Sequence, residues 1–504
     1  MCGILGIIGD VNTAQFINCL GEIKSRGPDS TKLTVRDNVQ LGINRLAVNG
    51  CSPAAEQPFE NDAISLVCNG EIFNHKELET RYGYVPKSSS DCEFLTEHMT
   101  VNPCFKSLDA EFALISYNKQ TKIVTVARDP YGVRPLFWGE TVTGALAFAS
   151  ELKAISKICD HVEQFTPGWY MNINSESVSI ITYEKYSPKI IQRNSTNILQ
   201  NISNILSNAV KKRLMCENGG VCCLLSGGLD SSLVAALANK HSPTPIHTFS
   251  IGMYGSPDLQ YAEEVARHIG SVHHTVCLEE SEFCEAIPDV IRAIESYDVT
   301  TVRASVGNYL IAKYIKENTD FKVVLNGDYS DEVTGGYLYM KMAPDFKEFH
   351  HECLRLVGDI HFFDSLRSDR TVCAHGLEAR TPFADKEFVE YYLSLDPEIT
   401  SPKDKIGKYM LREAFRGTNL LPDSVLDRKK EAFSDGVSSK NNSWHTIIQD
   451  YLIKLGYISE EIAYKSYFTK FYGGHENVIP YKWMPKYCDT TDPSARNLEI
   501  YLKN

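Results

Sequence analysis

The stretch that decides the fold of the C-terminal half is Val221-Cys222-Cys223-Leu224-Leu225-Ser226-Gly227-Gly228-Leu229-Asp230-Ser231-Ser232. The apolar run Gly220–Leu225 predicts a buried strand, the paired glycines predict a tight loop, and the residues through Asn239 predict a helix. Glycines allow close backbone approach, and the first N–H groups of a helix, with nearby serine hydroxyls, bind anions. This order predicts a phosphate-binding loop; a plain turn between strand and helix is the alternative.

Strands and helices continue to alternate beyond this loop. The predicted elements are the strands Ile246–Ile251 and His273–Cys277, the helix Tyr261–Ile269 between them, and an earlier helix within Ile198–Met215. Beyond about residue 335 the pattern becomes mostly helical. We therefore expect a Rossmann-like α/β domain over residues 198–504, in which a parallel sheet carries helices on both faces and a helical extension follows.

The N-terminal part of the chain predicts a different architecture. Short apolar runs separated by polar turns include Ile64–Cys68, Phe112–Tyr117, Ile123–Ala127 and a pair near Tyr170–Tyr183. Such runs predict stacked sheets. We place this domain at residues 2–186 and treat the polar segment 187–197 as a linker. A chain of 504 residues is too long for one ordinary core, so two or more domains are expected.

Composition excludes several classes of protein. The formal charge of -13 argues against sequence-independent nucleic-acid binding, which needs a basic surface. No apolar run is long enough for a membrane span, and the first basic residue is Lys24, so the apolar start is a poor signal peptide. The 15 cysteines include no C-x-x-C pair. We therefore expect a reduced, cytoplasmic protein that binds neither nucleic acid nor membrane.

Cys2 is a candidate nucleophile. If Met1 is removed, the α-amine of Cys2, with an ordinary pKa of about 7.7–8.0, becomes available as a general base for its own thiol. Thiol and base then share one residue. A small buried residue near the start of the chain, or an acylation site, is the alternative interpretation.

Four further motifs follow Cys2 in order: Arg26-Gly27-Pro28-Asp29, Arg45-Leu46, Asn69-Gly70-Glu71-Ile72-Phe73-Asn74 and Ser90-Asp91-Cys92-Glu93. This set resembles the glutaminase domain of class II glutamine amidotransferases, which have an N-terminal nucleophile (Ntn) hydrolase αββα sandwich. The resemblance implies a glutamine site that also includes Leu46 and Val48.

The residue types suit this chemistry. Arg45 can hold the α-carboxylate of glutamine with its two-pronged guanidinium, and Glu71 and Asp91 can hold the α-ammonium. Asn69 and the Gly70 N–H can stabilise the oxyanion of a tetrahedral intermediate. Asn-Gly is also a common hairpin turn, and both interpretations of this dipeptide can hold.

The glycine loop resembles the PP-loop of ATP pyrophosphatases, which split ATP between its α and β phosphates. It lacks the G-K-[ST] of a GTPase-type P-loop. The resemblance implies ATP contacts from Leu224, Ser226, Gly227, Gly228, Asp230, Ser231, Ser232, Ile251, Asn326 and Gly327. It also implies Mg²⁺ held by Asp230 and Asp331, since carboxylate and phosphate oxygens are the ligands that Mg²⁺ prefers.

Later segments extend the resemblance to nearly the whole chain and to the glutamine-hydrolysing asparagine synthetase family. They are Tyr297–Ser305, Gly376–Phe383, Lys430–Gly436 and Asp492–Arg496. The first implies aspartate contacts from Thr300, Thr301 and Arg303, and Lys430 is implied to neutralise charge at the α-phosphate. The family reaction uses L-glutamine, L-aspartate and ATP, with a β-aspartyl-AMP intermediate and an internal passage for ammonia. The oligomeric state stays open, with a homodimer as the candidate assembly.

The chain departs from the family at four positions, two of which bear on the synthetase loop most directly. Asn326–Glu332 stands where the family usually has Ser-Gly-Glu-Gly-Ser-Asp-Glu, so Asp328 replaces a glutamate associated with ammonia attack and intermediate formation. The Asp328 side chain is shorter by one C–C bond, roughly 1.5 Å. Tyr329 replaces a glycine, which predicts a different loop shape if that position needs a positive φ. Ser25 stands where a histidine usually precedes Arg-Gly-Pro-Asp.

Two alternatives follow from these departures. A related synthetase could adenylate a different carboxylic acid, although many such relatives lack the nucleophilic cysteine. A second alternative is a glutamine- or ATP-binding protein whose synthetase site has lost activity. Asparagine formation from aspartate and ATP discriminates the leading interpretation from both.

Overall fold

The computed structural model of the chain describes residues 1–101, 103–184, 190, 197–430, 433–439 and 442–494. Its strands are β1 (Gly3–Ile8), β2 (Ser30–Arg36), β3 (Val39–Arg45), β4 (Phe59–Glu60), β5 (Ile64–Ile72), β6 (Ala110–Asn118), β7 (Val124–Arg128), β8 (Phe137–Thr141), β9 (Leu146–Ala149), β10 (Cys159–Gln164), β11 (Trp169–Ile173), β12 (Val178–Thr182), β13 (Val221–Leu224), β14 (His247–Met253), β15 (Val272–Leu278), β16 (Val323–Leu325) and β17 (Glu378–Arg380).

The α-helices are α1 (Thr13–Gly21), α2 (His75–Tyr82), α3 (Leu95–Val101), α4 (Ile198–Lys212), α5 (Leu229–His241), α6 (Pro257–Ile269), α7 (Glu280–Glu285), α8 (Ile287–Ile294), α9 (Val299–Asn318), α10 (Ser330–Thr334), α11 (Phe346–Asp359), α12 (Asp364–Cys373), α13 (Lys386–Ser394), α14 (Pro397–Thr400), α15 (Tyr409–Phe415), α16 (Asp423–Leu426), α17 (Phe433–Gly436), α18 (Trp444–Lys454) and α19 (Glu460–Tyr472).

The N-terminal half, residues 1–184, is built on two six-stranded antiparallel sheets. Their strand orders are β10-β8-β9-β1-β3-β2 and β12-β11-β7-β6-β5-β4. Helix α1 packs on β1 and β3 of the first sheet, and α3 packs on β5 of the second. The sheets face each other between these helices, which confirms the predicted αββα sandwich.

Alternation along β1 explains this layering. Ile4 is buried between the sheets, whereas Leu5 and Ile7 point to the opposite face and pack against α1. Gly6 lies at a close contact between the two sheets, because a Cβ atom there would be 2.8 Å from the side chain of Ile115. A larger residue at this position would push the two sheets apart.

The C-terminal half, from residue 197, contains a five-stranded sheet in the order β15-β14-β13-β16-β17 in which every pairing is parallel. The predicted strand Gly220–Leu225 is confirmed as β13, and the predicted glycine loop joins it to α5. The chain runs from β13 to β14 on one side, and β16 pairs with β13 on the other. The loops after β13 and β16 therefore meet at a topological switch point, where open α/β sheets bind ligands. The helical extension is also confirmed.

Buried ion pairs join the two halves. Arg26 lies 2.7 Å from Asp369 of α12, and Arg213, which follows α4, lies 2.6 Å from Glu111 of β6. Charges inside a protein are tolerated only when they are paired, so these contacts fix how the halves are placed. The predicted linker 187–197 lies almost wholly outside the described residues. Among the described residues no helix has both the length and the apolar character to span a membrane.

Candidate active sites

Cys2 lies where the two halves of the molecule meet. Its backbone N–H donates to Asn69 Oδ1 at 2.9 Å, and its carbonyl accepts Arg26 Nε at 2.9 Å. The ammonium of Met1 lies 2.7 Å from Glu378 Oε2, at the start of β17. Removal of Met1 would turn the Cys2 N–H into a free amine beside Asn69.

The environment of the Cys2 thiol favours its protonated form. Burial raises the pKa of the thiol, against opposing contributions from the N-terminal charge, the Leu46 backbone and the charge of Arg45. A protonated thiol is a weak nucleophile. Cys2 therefore needs a nearby base, and a free α-amine on the same residue would supply one.

Asn69 has the geometry of an oxyanion-binding residue. Its Oδ1 is occupied by the Cys2 N–H, while its Nδ2 is buried and has no hydrogen-bond partner among the described residues. Buried donors are rarely left unpaired without a functional reason. The next residue must be glycine, because a Cβ at Gly70 would lie 2.5 Å from the carbonyl oxygen of Glu111.

The predicted glutamine-binding charges are held in place by other polar groups. Arg45 lies 3.1 Å from Glu56 and donates to the carbonyls of Asn49 and Gly50 at 3.1 and 2.6 Å. Glu71 accepts Asn49 Nδ2 at 3.0 Å. Such contacts leave each side chain little rotamer freedom, which pre-organises it for a ligand.

The two carboxylates predicted to bind the α-ammonium, Glu71 and Asp91, make further polar contacts. Glu71 pairs with Arg380 of β17 at 2.9 Å. Asp91 accepts the Ile72 N–H at 2.7 Å, and its burial raises its pKa above the ordinary aspartate range. An ammonium group beside Asp91 would stabilise the ionised form. The carbonyl of Val48 accepts N–H groups from the C-terminal half.

A cavity lies at the switch point of the parallel sheet. Most of the predicted ATP contacts line it: Leu224, Ser226, Gly228, Asp230, Ser231, Ile251, Asn326 and Gly327. Gly227 and Ser232 are outside the lining. Gly227 has φ +70 and faces α6, where a Cβ would lie 2.4 Å from Tyr261. Gly227 therefore packs the loop closely against α6.

The glycine loop presents donors to this cavity. Gly228 is the N-cap residue of α5 and has no side chain to cap it, so within the described part of the chain no side chain caps the first N–H groups of α5. Ser231 Oγ bonds both the N–H and the Oγ of Ser226, at 3.1 and 3.0 Å, and thereby fixes the curvature of the loop. Uncapped N–H groups at the positive end of a helix form an anion-binding site.

The predicted metal-binding carboxylates converge on one point. Lys408 Nζ lies 2.5 Å from Asp230 Oδ2 and 2.7 Å from Asp331 Oδ1. Burial opposes ionisation of Asp331, but the charges of Lys408 and Lys430 outweigh it and hold its pKa well below the ordinary value. Two carboxylates that face a phosphate-binding loop offer the oxygen ligands that Mg²⁺ prefers.

Lys430 also lies at this cavity. Its Nζ is 2.5 Å from Asp331 Oδ2. Burial alone would lower the pKa of Lys430, but the charges of Asp331 and Asp230 raise it above the ordinary lysine value. Lys430 therefore carries a positive charge at every physiological pH.

The loop after β16 carries Asp328 and Tyr329, two residues that depart from the family pattern. Asp328 lines the cavity 2.5 Å from Arg367, and its burial raises its pKa despite that arginine. Tyr329 has φ +74, and its hydroxyl bonds Ser365. The expectation that a tyrosine would change the loop shape is corrected, because Tyr329 itself adopts the left-handed conformation. Burial and the Ser365 bond offset the strain, which is about 1–3 kcal/mol for a non-glycine residue.

The predicted aspartate-binding residues separate into two groups. Thr300 lines the cavity, and its Oγ1 is buried without a hydrogen-bond partner in the described part of the chain. Thr301 is not among the residues that line the cavity, and its N–H and hydroxyl both donate at 2.9 Å to Asp298, the residue whose side chain caps α9. Arg303 lies outside the cavity lining and pairs with Glu460 and Asp492 at 2.8 and 2.7 Å.

Several cavity residues escaped the sequence analysis: Arg367, Lys408, Arg412 and Arg428. Arg428 precedes Lys430 in a basic run that could have signalled it. Lys408 has no local signal, because it reaches Asp230 across 178 residues of sequence and from a left-handed backbone with φ +62.

Comparison with known proteins finds a matching family for each half of the chain. The glutamine amidotransferase domain family matches residues 1–199, and the asparagine synthase family matches residues 201–349 and 341–490. The probable glutamine-hydrolysing asparagine synthetase of Acanthamoeba polyphaga mimivirus is 38% identical, over 99% of this chain and 100% of the relative. The glutamine-hydrolysing asparagine synthetases of Gallus gallus and Mesocricetus auratus are 38% and 39% identical, over 99% of each chain. The chain therefore belongs to the family of glutamine-hydrolysing asparagine synthetases.

Proposed function

We propose that this protein makes L-asparagine from L-aspartate, L-glutamine and ATP, through β-aspartyl-AMP and ammonia released at Cys2. The observation that carries the proposal is the meeting of both sites at β17. The Met1 ammonium bonds Glu378 at one end of this strand, and the Arg380 carbonyl accepts the Asn326 N–H at 3.1 Å at the other. Two residues of a strand span roughly 7 Å. Strand β17 therefore contacts both the segment that carries Cys2 and the loop after β16, which lines the cavity at the switch point that we call the nucleotide cavity.

In the first half-reaction the Cys2 thiol, deprotonated by its free α-amine, attacks the side-chain carbonyl carbon of glutamine. Asn69 Nδ2 and the Gly70 N–H donate to the oxyanion, and ammonia leaves to give a glutamyl thioester. Water then hydrolyses the thioester to glutamate. Arg45 binds the substrate α-carboxylate, and Glu71 with Asp91 binds the α-ammonium. Leu46 and Val48 complete the glutamine pocket.

In the second half-reaction the β-carboxylate of aspartate attacks the α-phosphorus of ATP and pyrophosphate leaves. The glycine loop and the start of α5 bind the departing phosphates, and Lys430 neutralises charge near the α-phosphate. Asp230 and Asp331 would hold Mg²⁺, which supplies further charge neutralisation on the phosphate oxygens. Thr300 faces the acceptor substrate from the start of α9.

Ammonia then attacks the acyl carbon of β-aspartyl-AMP, AMP leaves, and Asp328 accepts a proton from the attacking nitrogen. Water protonates ammonia and removes its nucleophilicity, so an internal passage between the sites keeps it reactive.

We assign residues 2–186 to the glutaminase domain and residues 198–504 to the synthetase domain. The 15 cysteines are all free thiols, which supports a reducing, cytoplasmic location. A homodimer is the candidate assembly.

Product stoichiometry tests the proposal. Purified protein is incubated with aspartate, ATP and Mg²⁺, and with either glutamine or ammonium chloride. We expect equal amounts of asparagine, AMP and pyrophosphate with both nitrogen donors. Release of ADP, or adenylation of another carboxylic acid in place of aspartate, would contradict the proposal. Glutamate without asparagine would indicate a working glutaminase attached to a synthetase site that has changed.

A further inference from the structure

Glu217 and Asn218, in the C-terminal half, are hydrogen-bonded to the loop that begins with Arg45. We call Arg45–Gly50 the glutamine loop. The Glu217 N–H and the Asn218 N–H both donate to the Val48 carbonyl at 3.1 Å. Asn218 Nδ2 donates to the Ala47 carbonyl at 3.0 Å. The backbone of the glutamine loop is therefore bonded directly to the other half of the molecule.

The carboxylate of Glu217 adds a second set of contacts. A single oxygen, Oε2, accepts the Gly50 N–H at 2.9 Å and the Ser89 hydroxyl at 2.9 Å. Gly50 ends the glutamine loop, and Ser89 lies two residues before Asp91. Glu217 therefore ties together the two segments that carry the binding groups for the α-carboxylate and the α-ammonium.

Gly50 links Glu217 to Arg45, because it is hydrogen-bonded to both side chains. The Gly50 carbonyl accepts Arg45 Nη2 at 2.6 Å, so the N–H of Gly50 bonds Glu217 and its carbonyl bonds the arginine. Gly50 has φ +64, and a Cβ there would lie 2.8 Å from both Ala55 and Ser90. This tight packing lets any displacement of Gly50 pass to Arg45 and to the segment before Asp91.

We propose that Glu217 is a positioning residue that sets the affinity of the N-terminal half for glutamine from the C-terminal half. The inference rests on the proposed glutaminase function. Glu217 touches no reacting atom, so it acts on substrate binding through Arg45. It also lies just before β13, the strand that leads to Ser226, so the same stretch of chain contacts the glutamine loop at one end and the nucleotide cavity at the other.

Three variants test this role by steady-state glutamine hydrolysis. Glu217→Ala removes the acceptor, and Glu217→Gln keeps one acceptor oxygen for the same two donors. Lys386→Ala is the matched control, since Lys386 forms another contact between the halves, with Glu184 at 2.8 Å, away from the glutamine loop. Ammonia-dependent asparagine synthesis is measured on each variant to establish that the synthetase half is intact.

For Glu217→Ala we expect KM for glutamine to rise by about three- to tenfold, the scale of one typical net hydrogen bond in a protein. We expect kcat for hydrolysis and ammonia-dependent synthesis to stay within about twofold of wild type. Glu217→Gln should restore KM to within about twofold, and Lys386→Ala should leave it unchanged.

Two results would overturn the role of Glu217 while leaving the proposed function standing. One is an unchanged KM in Glu217→Ala when wild type hydrolyses glutamine. The other is an equal loss of kcat and of ammonia-dependent synthesis, which would mark a general structural contact. Absence of hydrolysis by processed wild-type protein would overturn the glutaminase function itself, and the role of Glu217 with it.

Discussion

Asn69 binds the Cys2 N–H through Oδ1 at 2.9 Å and leaves its own Nδ2 buried with no partner among the described residues. The acceptor and the donor of this one amide thus have separate tasks. Oδ1 accepts the backbone N–H of Cys2, and in the proposed mechanism Nδ2 donates to the oxyanion that forms during the reaction. Preorganised donors of this kind act on the transition state more than on the bound substrate.

The first prediction separates these two tasks. Asn69→Asp keeps an acceptor for Cys2 and loses the donor, so we expect kcat for glutamine hydrolysis to fall about 10²–10³-fold. KM for glutamine should change far less, and ammonia-dependent asparagine synthesis should be unaffected. Steady-state glutamate release measures both parameters. Hydrolysis by Asn69→Asp at the wild-type rate would mean that Nδ2 does not stabilise the oxyanion.

The second prediction concerns Lys430, whose charge is fixed by Asp331 at 2.5 Å. Lys430→Ala should lower aspartate-dependent pyrophosphate release by about 10²–10³-fold, because the charge formed at the α-phosphate then lacks its counter-ion. Glutamine hydrolysis serves as the control and should not change. Lys430→Arg keeps the charge and should retain more activity than the alanine variant. Equal pyrophosphate release by Lys430→Ala and wild type would exclude this role.

The third prediction concerns stability at Tyr329. Tyr329→Gly relieves about 1–3 kcal/mol of left-handed strain but loses a buried aromatic side chain, a change that costs about 3–5 kcal/mol in protein cores. The variant should therefore be less stable than wild type in urea unfolding. Tyr329→Phe should lose only about 1 kcal/mol, the hydroxyl bond to Ser365. A Tyr329→Gly protein more stable than wild type would show that strain dominates at this position.

A double-mutant cycle isolates the contact between the Tyr329 and Ser365 hydroxyls. Tyr329→Phe and Ser365→Ala are combined, and their effects on the free energy of unfolding should be less than additive, because each removes the same hydrogen bond. Additive effects would indicate that the two hydroxyls act independently.

The fourth prediction is a pH dependence of stability at Asp492. Burial would raise the pKa of Asp492, but hydrogen bonding and charge from Arg303 outweigh it and lower the pKa to about 2. A lowered pKa in the folded state stabilises the protein above the unfolded value of about 3.9, and this contribution is lost as pH falls toward 2. Asp492→Asn should therefore be less stable than wild type from pH 5 to 8. Urea unfolding should show the difference shrinking below about pH 4. A difference that stays constant down to pH 3 would contradict the assignment.

Glycine positions and apolar periodicity were enough to predict the parallel α/β sheet of the C-terminal half, whereas the αββα sandwich of the N-terminal half was implied by the family resemblance. Val221–Ser232 combines a β-branched and apolar run with two glycines and a helical pattern, and all of that information is local. The position of the cavity follows from strand order, and the strand order is supplied by long-range pairing such as that of β13 with β16. Local sequence patterns do not predict which strands pair with each other, so they could not predict where the cavity lies.

Ion pairs across long sequence separations were the part that pattern could not predict. Lys408 occupies the point between Asp230 and Asp331, and Arg303 pairs with Glu460, although no spacing in the sequence links these residues. Tyr329 shows a related limit. The family resemblance raised the question of a positive φ, and only the packed structure reveals that Ser365 and burial hold a tyrosine there.

Isotope transfer tests the central claim, which is that one chain moves nitrogen from glutamine at Cys2 to aspartate at the nucleotide cavity. Wild type and Cys2→Ala are given amide-¹⁵N-glutamine, aspartate and Mg·ATP in the presence of unlabelled ammonium. We predict mainly ¹⁵N-asparagine from wild type and only unlabelled asparagine from Cys2→Ala. Asparagine whose label matches the bulk ammonium pool in wild type, or ¹⁵N-asparagine from Cys2→Ala, would contradict the account.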